Sequence, residues 1–262
     1  MRNYKSKLVL ALAICMFQLC FSWINPISAQ TAETDKKWHF LADVYLMFPN
    51  MDGEIGIGNS LKVPIDSNPG DVFRKLNFGA MLYLEAQTDR WAITSDLVYM
   101  SLEQEITPGT LIHSGTAGAK QLIWEAAGLY RIIPFWEVGV GGRLNNLQTN
   151  IDARRNVLPA GTEVVTGEHS DTWFDPILIT RLSTDINDKW LFQFRGDLGG
   201  FGVGSDFTWQ LQGYAGYRFT KVFQLTAGYR ILSTDYKKGS GTDEFVFNIK
   251  EFGPVIRLGF NF

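Results

Sequence analysis

The chain has 262 residues, with 24 Lys and Arg against 27 Asp and Glu, 26 Gly, 9 Pro, 2 Cys and 14% aromatic residues. That length holds one large domain or two small ones. The aromatic content and 19% charge exclude a disordered tail protein, and a formal charge of −3 excludes a globally basic nucleic-acid binder.

Residues 1–29 read as a secretory signal peptide. Arg2, Lys5 and Lys7 form a positive start, Leu8 to Phe21 is an uncharged apolar run, and small residues precede a cut after Ala29. The run is shorter than the roughly 20 residues a membrane-spanning helix needs. Ile14 and Leu19 precede the two cysteines, where a lipoprotein signal requires a small residue. Cleavage removes three bases and no acid, taking the charge from −3 to −6, and it removes Cys15 and Cys20. The mature chain then has no disulfide, no Cys-ligated metal and no thiol nucleophile. Residues 30–37 are a short periplasmic lead-in, and 38–262 form one domain.

From there the chain reads as strands only. Phe207, Trp209, Leu211, Gly213, Ala215, Tyr217 and Phe219 alternate with Thr208, Gln210, Gln212, Tyr214, Gly216 and Arg218, the period-two signature of a strand with two unlike faces. Ten such segments are expected, near 38–48, 75–87, 91–104, 120–132, 135–146, 172–184, 190–199, 207–219, 222–234 and 246–262. Merging segments gives eight; a weakly alternating stretch at 53–66 adds a hairpin and gives twelve. Tight connections near Asp89-Arg90, Pro134, Asp185–Lys189 and Lys221 alternate with long ones near 49–73, 105–119, 147–171 and 235–245; 200–206 is a short exception. Short turns on one side and long loops on the other are the pattern of an antiparallel transmembrane β-barrel with both termini in the periplasm. Trp38, Trp91, Trp136, Trp190 and Phe223 open alternate segments on the apolar face, and Phe260 and Phe262 close the last. Together they predict an aromatic girdle at one membrane interface.

The polar face carries charge at one height. Asp43, Asp96, Glu125 and Asp197 lie level with Arg143, Arg195, Arg230 and Arg257. On the lipid side at mid-membrane a basic residue costs about 2–4 kcal/mol, so these charges are expected in the lumen, paired. A hairpin centred on Pro134 sets Arg131 opposite Glu137 and Glu125 opposite Arg143.

These features resemble the small single-chain outer-membrane β-barrels of Gram-negative bacteria, over about 38–262. The terminal GPVIRLGFNF ends in the aromatic that, in that family, the barrel assembly machinery reads, and Arg195–Gln210 (RGDLGGFGVGSDFTWQ) resembles a stretch in porin-like barrels of uncharacterised function. The resemblance implies outer-membrane lipid and lipopolysaccharide as partners, assembly through Phe262, no nucleic acid and no cofactor. The expected function is a non-enzymatic barrel, structural or a narrow pore with an ion-paired lumen.

Two other readings stay open. The first is an outer-membrane lipid hydrolase. His39, His113 and His169 are the histidines, and His169-Ser170-Asp171 is the nearest approach to a catalytic set; adjacent strand residues point to opposite faces, so no dyad is ready-made. The second is a soluble exported barrel binding a small ligand. Asp66, Asn68 and Asp71 lack the spacing of a calcium loop and read as a turn. Arg154-Arg155 and Lys237-Lys238 read as basic pairs in outer loops, suited to phosphate or to solvent. The glycines at 199–204 read as a tight strand connection, since neither helix nor Lys follows.

Overall fold

A computed structural model describes residues 38–57, 61–106, 112–156 and 161–262; the signal peptide and lead-in predicted above lie outside them. Twelve strands occur in chain order: β1 (His39–Met47), β2 (Asn50–Ile57), β3 (Leu61–Ser67), β4 (Leu76–Gln87), β5 (Trp91–Glu105), β6 (Ile112–Ile133), β7 (Trp136–Asn156), β8 (Thr162–Ile186), β9 (Trp190–Gly199), β10 (Phe207–Arg218), β11 (Phe223–Lys238) and β12 (Phe245–Asn261). Ten of them, β1 and β4–β12, pair antiparallel in sequence order, and β12 returns to β1 from Leu41↔Asn261 to Met47↔Val255, closing the barrel. Up to Val44 closure leaves no sheet edge, the condition for a β-structure to cross a membrane; above it the β1–β4 pairing ends and β3 has β2 as its one partner. The ten-strand expectation holds.

The stretch at 53–66 does form a hairpin, β2–β3, but it extends the wall instead of adding strands to the closure. β2 continues on β12 in the register that β1 began, Met47↔Val255 running on to Asn50↔Phe252. The break at Phe48-Pro49 follows from proline's missing N–H. Opposite it, a Cβ on Gly253 would stand 2.0 Å from the Phe48 carbonyl oxygen, so only glycine lets the strands meet there.

Two expectations are corrected. First, the chain is not strands only: α1 (Pro69–Lys75) is a short helix. Its start signal is the sequence Asn-Pro-Gly-Asp at 68–71. The Asn68 side chain accepts from the Asp71 backbone N–H at 3.0 Å, Pro69 occupies the first turn, and the Asp71 side chain returns to the Asn68 backbone, a capping box. Second, the long loops expected at 105–119 and 147–171 are largely strand. β6, β7 and β8 run 22, 21 and 25 residues. Above the membrane both faces of a hairpin meet water, so backbone pairing persists while the apolar alternation fades. The tight turns stand where expected; in the three-residue connection 187–189 both Asn187 and Asp188 take left-handed φ of 53° and 56°, and the Lys189 N–H donates to the Ile186 carbonyl at 3.2 Å.

The wall is uneven in height. β9 and β10 have 10 and 12 residues and are joined at 200–206, where Gly200 (φ 83°) and Gly202 (φ 74°) make the turn. At about 3.3 Å per residue and a tilt near 40°, β9 rises roughly 25 Å, the height of an outer-membrane apolar band. β8, at 25 residues, rises about two and a half times that far.

Outside, the barrel is apolar: Val44, Ile93, Val140, Leu178 and Leu198 are each more than half exposed. Trp38, Trp91, Trp136 and Trp190 all point outward at the short-turn end, where Trp91 packs on Tyr130 (4.9 Å), Trp190 on Tyr217 (5.1 Å) and Phe223 on Phe260 (5.8 Å).

Candidate functional site

The lumen is the place where this sequence concentrates chemistry. Alternation turns every second side chain inward, and all eight charged residues singled out in the sequence are buried there: Asp43, Asp96, Glu125, Arg143, Arg195, Asp197, Arg230 and Arg257, none more than 4% exposed. The hairpin register expected around Pro134 is present, with Glu125↔Arg143 and Arg131↔Glu137.

At mid-height lies a quartet. Arg143 Nη2 donates to Glu125 Oε2 at 2.8 Å and to Asp197 Oδ1 at 2.7 Å. Arg195 donates to the other oxygen of Glu125 and stands 3.5 Å from Asp197 Oδ2. Gln210 Nε2 donates to Asp197 Oδ2 at 2.8 Å, and Gln210 Oε1 accepts from Arg230 Nε at 2.7 Å. Arg230 in turn reaches Asp96 at 3.1 Å and the Tyr45 hydroxyl at 3.0 Å, while that hydroxyl donates to Asp96 at 2.5 Å. Each of these ions is thus paired, the condition under which buried charge is tolerated, and among them only Arg195 Nε is buried without a hydrogen-bond partner.

Toward the short-turn end, Arg257 is held differently. Its guanidinium lies over the rings of Tyr214 (4.1 Å), Tyr45 (4.9 Å) and Tyr83 (5.1 Å), donates to the Tyr214 hydroxyl at 2.8 Å and stands 3.6 Å from Asp43 Oδ2. Three ring faces around one cation offset part of its desolvation. This layer is the floor of a vestibule of about 1490 Å³ that opens at the short-turn end and is lined by His39, Gln87, Arg131, Gln193 and Gln224 among others.

Of a second cluster, on the vestibule wall, the sequence showed only the Arg131–Glu137 pair. Arg181 grips Glu85 with two nitrogens, at 2.7 and 2.8 Å, and donates to Glu137 at 2.5 Å; Glu137 also accepts from Arg131 at 2.8 Å. Glu85 and Arg181 have the same inward alternation as the eight, one layer lower. Finding Arg181 opposite Glu137 required the β7–β8 register, which a supposed 25-residue loop concealed. The same register sets Arg143 opposite Asp175, and β8–β9 sets Arg181 opposite Arg195. That like-charged pairing is unfavourable by itself and stands because each arginine has its own carboxylates.

The other end of the lumen is filled by apolar side chains. Above the short β9–β10 hairpin, β8 and β11 face each other: Trp173 stacks on Tyr236 at 4.1 Å and 10°, and Lys238 reaches Asp171 at 2.5 Å. Leu147, Phe245, Phe247 and Ile249 complete this cluster, with Met51, Ile55 and Ile65 of the β2–β3 hairpin packed against it.

The remaining candidates are dispersed. His39 sits at the vestibule mouth. His113 is an exposed bulge residue of β6. His169 lies in β8, not in a loop, 3.0 Å from Asp171 Oδ2 and packed on Phe245 at 4.6 Å. Ser170 pairs with Gln148 and faces the opposite side, so the triad is not assembled. Asp71 bonds Arg74, which holds its carboxyl below the usual range; among the described residues no cluster fit to hold a metal ion occurs. Arg154 is exposed, whereas Lys237 and Lys238 lie in β11 and pair with Glu244 (3.1 Å) and Asp171.

A closed antiparallel barrel, apolar outside, girdled by aromatics and charged within, is a transmembrane β-barrel of the outer-membrane type. Among solved structures the chain is similar to the outer membrane protease OmpT from Escherichia coli, with 10% identity and a TM-score of 0.47 over 90% of this chain and 99% of that one. It is also similar to the toluene transporter TodX of P. putida, at 9% and 0.36 over 87% and 90%, and to Ail, the attachment invasion locus protein of Yersinia pestis, at 11% and 0.36 over 86% and 98%. No family model matches the chain, and no curated protein matches it.

Proposed function

We propose that this protein is a non-enzymatic barrel of the bacterial outer membrane with a lumen sealed against ions. Its short-turn end, with the vestibule and Phe262, faces the periplasm, and its tall end stands above the cell surface among lipopolysaccharide. The observation that carries the reading is the Arg143–Glu125–Arg195–Asp197 quartet: two cations and two anions at mid-height, all buried and mutually bonded. An ion-selective pore needs an excess of one sign facing water; here the signs balance and no member faces water. The aromatic cluster of Trp173, Tyr236 and Phe247 adds a second barrier above it.

The test is recording from the purified protein in planar bilayers. Expected are closed traces with rare small openings and no preference between cations and anions. Stable, large open-channel currents would refute the sealed lumen. Outer-membrane residence is checked separately, by fractionation and by the gel shift between unheated and boiled samples.

A further inference from the structure

The outer surface ends differently at the β9–β10 tip than on the strands beside it. On β8 the outward series Leu182, Leu178 and Phe174, all exposed, gives way to Thr172, whose hydroxyl accepts from Asn146 of β7 at 2.7 Å. On β11 it passes from Tyr229 to Ser233 and exposed Asp235. The change from apolar to polar marks the top of the lipid band on both flanks. The tip stands at that height. Asp206 N donates to the Asp235 carbonyl at 2.8 Å, and Ser205 bonds Asp175, the neighbour of Phe174. The rise of β9, roughly 25 Å from the girdle, puts its end at the same level independently.

There the tip stays apolar. Residues 198–205 carry no charge. Phe201 is 53% exposed and Val203 70%; among the described large apolar side chains only Phe262 is more exposed than Val203. Neither belongs to a buried apolar cluster. Both continue the lipid-facing run of Leu198 and Phe207, which are exposed directly below them.

The tip is also firmly held. Gly202 N donates to the Ser205 carbonyl at 3.0 Å and Val203 N to the Gly200 carbonyl at 2.9 Å. Asp175 accepts from Ser205 N and Oγ. A Cβ on Gly204 would stand 2.4 Å from the Phe174 carbonyl oxygen, so the loop lies flush on β8. Within it Phe201 takes a φ of 50°, backbone that glycine adopts freely and a bulky residue only against steric resistance. The turn itself therefore does not call for phenylalanine; what the position presents is the ring. Held in this loop, Phe201 and Val203 meet whatever borders the wall at that height. Beside β9 and β10 that is the boundary between acyl chains and headgroups, where apolar and aromatic side chains are stabilised.

We propose that the β9–β10 tip is a lipid anchor. Phe201 and Val203 sit in the outer leaflet at the boundary of headgroups and acyl chains, and they fix how deep the low side of the barrel stands in the membrane. The flanking strands, polar on their outer faces at this height, make no such contact. The anchor rests on the membrane reading above.

Cys15 and Cys20 are the chain's two cysteines, both within the predicted signal peptide, so an introduced cysteine gives the exported chain a single site for a nitrobenzoxadiazole label. The label is placed at Asp206→Cys, beside the anchor but not part of it, and in separate samples at Val140→Cys and Val164→Cys. In phosphatidylcholine vesicles the label at 206 should be quenched more by a spin label on the lipid headgroup than by one near the end of an acyl chain. Aqueous iodide should quench it about threefold less than the label at 164. Phe201→Gly with Val203→Ser removes both apolar side chains and gives position 201 the residue its φ favours; gel mobility of unheated samples checks that the barrel has folded. In that variant iodide quenching at 206 should rise to the level at 164. Equal iodide quenching at 206 and 164 with the tip unaltered, which needs no variant to read, would overturn the anchor and leave the tip in water. Quenching at 206 that the folded variant does not change, or that is strongest from the acyl end, would overturn it as well. A label at 140 that no lipid-borne spin label quenches would overturn the membrane reading, and the anchor with it.

Discussion

Removing one carboxylate from the mid-lumen quartet should do more damage than removing a pair. Glu125→Ala strips a shared partner from Arg143 and Arg195, both buried. Asp197 is left facing two arginines, and one positive charge is uncompensated. Breaking a buried pair on one side costs about 3–5 kcal/mol, and Arg143→Ala, which frees a carboxylate, should cost a similar amount. If the effects added, the double variant would lose about 6–10 kcal/mol. Instead it leaves Arg195 with Asp197, 3.5 Å apart and neutral as a pair. The double variant should therefore recover roughly 2–3 kcal/mol of that sum, the upper range of measured couplings. The assay is urea unfolding in lipid vesicles, read by tryptophan fluorescence and by gel mobility of unheated samples, with stability taken as midpoint times slope. A single-variant loss below about 1 kcal/mol would place the carboxylate in water, and coupling below about 0.5 kcal/mol would show that the two residues do not share a site. Either result, joined with large bilayer currents, would refute the sealed lumen.

The membrane band has a matched pair of probes: Val140 and Val164 are 64% and 66% exposed on the outer surface of adjoining strands. Val164 lies 18 residues beyond Leu182 of the girdle end, about 45 Å up, so Val140→Arg should cost about 2–4 kcal/mol and Val164→Arg almost nothing; equal costs in refolding into vesicles would remove the band. Phe262→Asp, at a terminal aromatic 73% exposed, should lower outer-membrane yield well below that of Ile151→Asp on the tall part of β7, and equal yields in fractionated cells would dismiss a role for the C-terminus in assembly. Alkaline pH should loosen the tall end. The bond to Asp171 raises the pKa of Lys238, so its contribution is complete below the unfolded value near 10.4 and is lost as pH climbs past the raised one. Protease cutting within β8 or β11 should rise across that interval in the wild type and not in Lys238→Met.

What the sequence makes legible follows the physics that writes it. In the lipid band each strand has one face in hydrocarbon and one in a polar lumen. Alternation is then forced, and Phe207–Arg218 or Phe252–Phe262 can be read residue by residue. The same forcing places Asp43, Asp96 and Arg257 on the inner face without any structure. Above the band that contrast disappears. Thr162–Thr172 pairs with β7 as regularly as Trp173–Ile186 does, yet its residues show no alternation, because water touches both sides. Register carries the rest. Where a turn is short, as at Pro134, ion pairs such as Glu125–Arg143 follow from counting. Arg181–Glu85 joins residues 96 apart, across strands that are not neighbours, and only closure of the barrel brings them together. α1 was legible in principle from Asn68, Pro69 and Asp71, but a capping box on a seven-residue helix carries no apolar periodicity to support it.

The uneven wall and the buried quartet are connected. With only 10 and 12 residues, β9 and β10 end where the apolar band ends, so nothing of their own covers the lumen at that height. Yet β9 brings both Arg195 and Asp197 to the quartet, and β10 brings Gln210 to the same oxygen of Asp197. This short hairpin of the closed wall thus carries Arg195, Asp197 and Gln210 of the buried network, and it is locked from three directions. Arg230 of β11 holds it through Gln210, Glu125 and Arg143 hold it from across the lumen, and Asp175 of β8 accepts from Ser205 N at 2.6 Å and Ser205 Oγ at 2.9 Å. Tall strands on either side then lean over it, Trp173 against Tyr236. The ten-residue ladder between β9 and β10 is reinforced by ions whose misplacement would cost several kcal/mol each. The network that blocks the lumen therefore also helps to set the register of this hairpin.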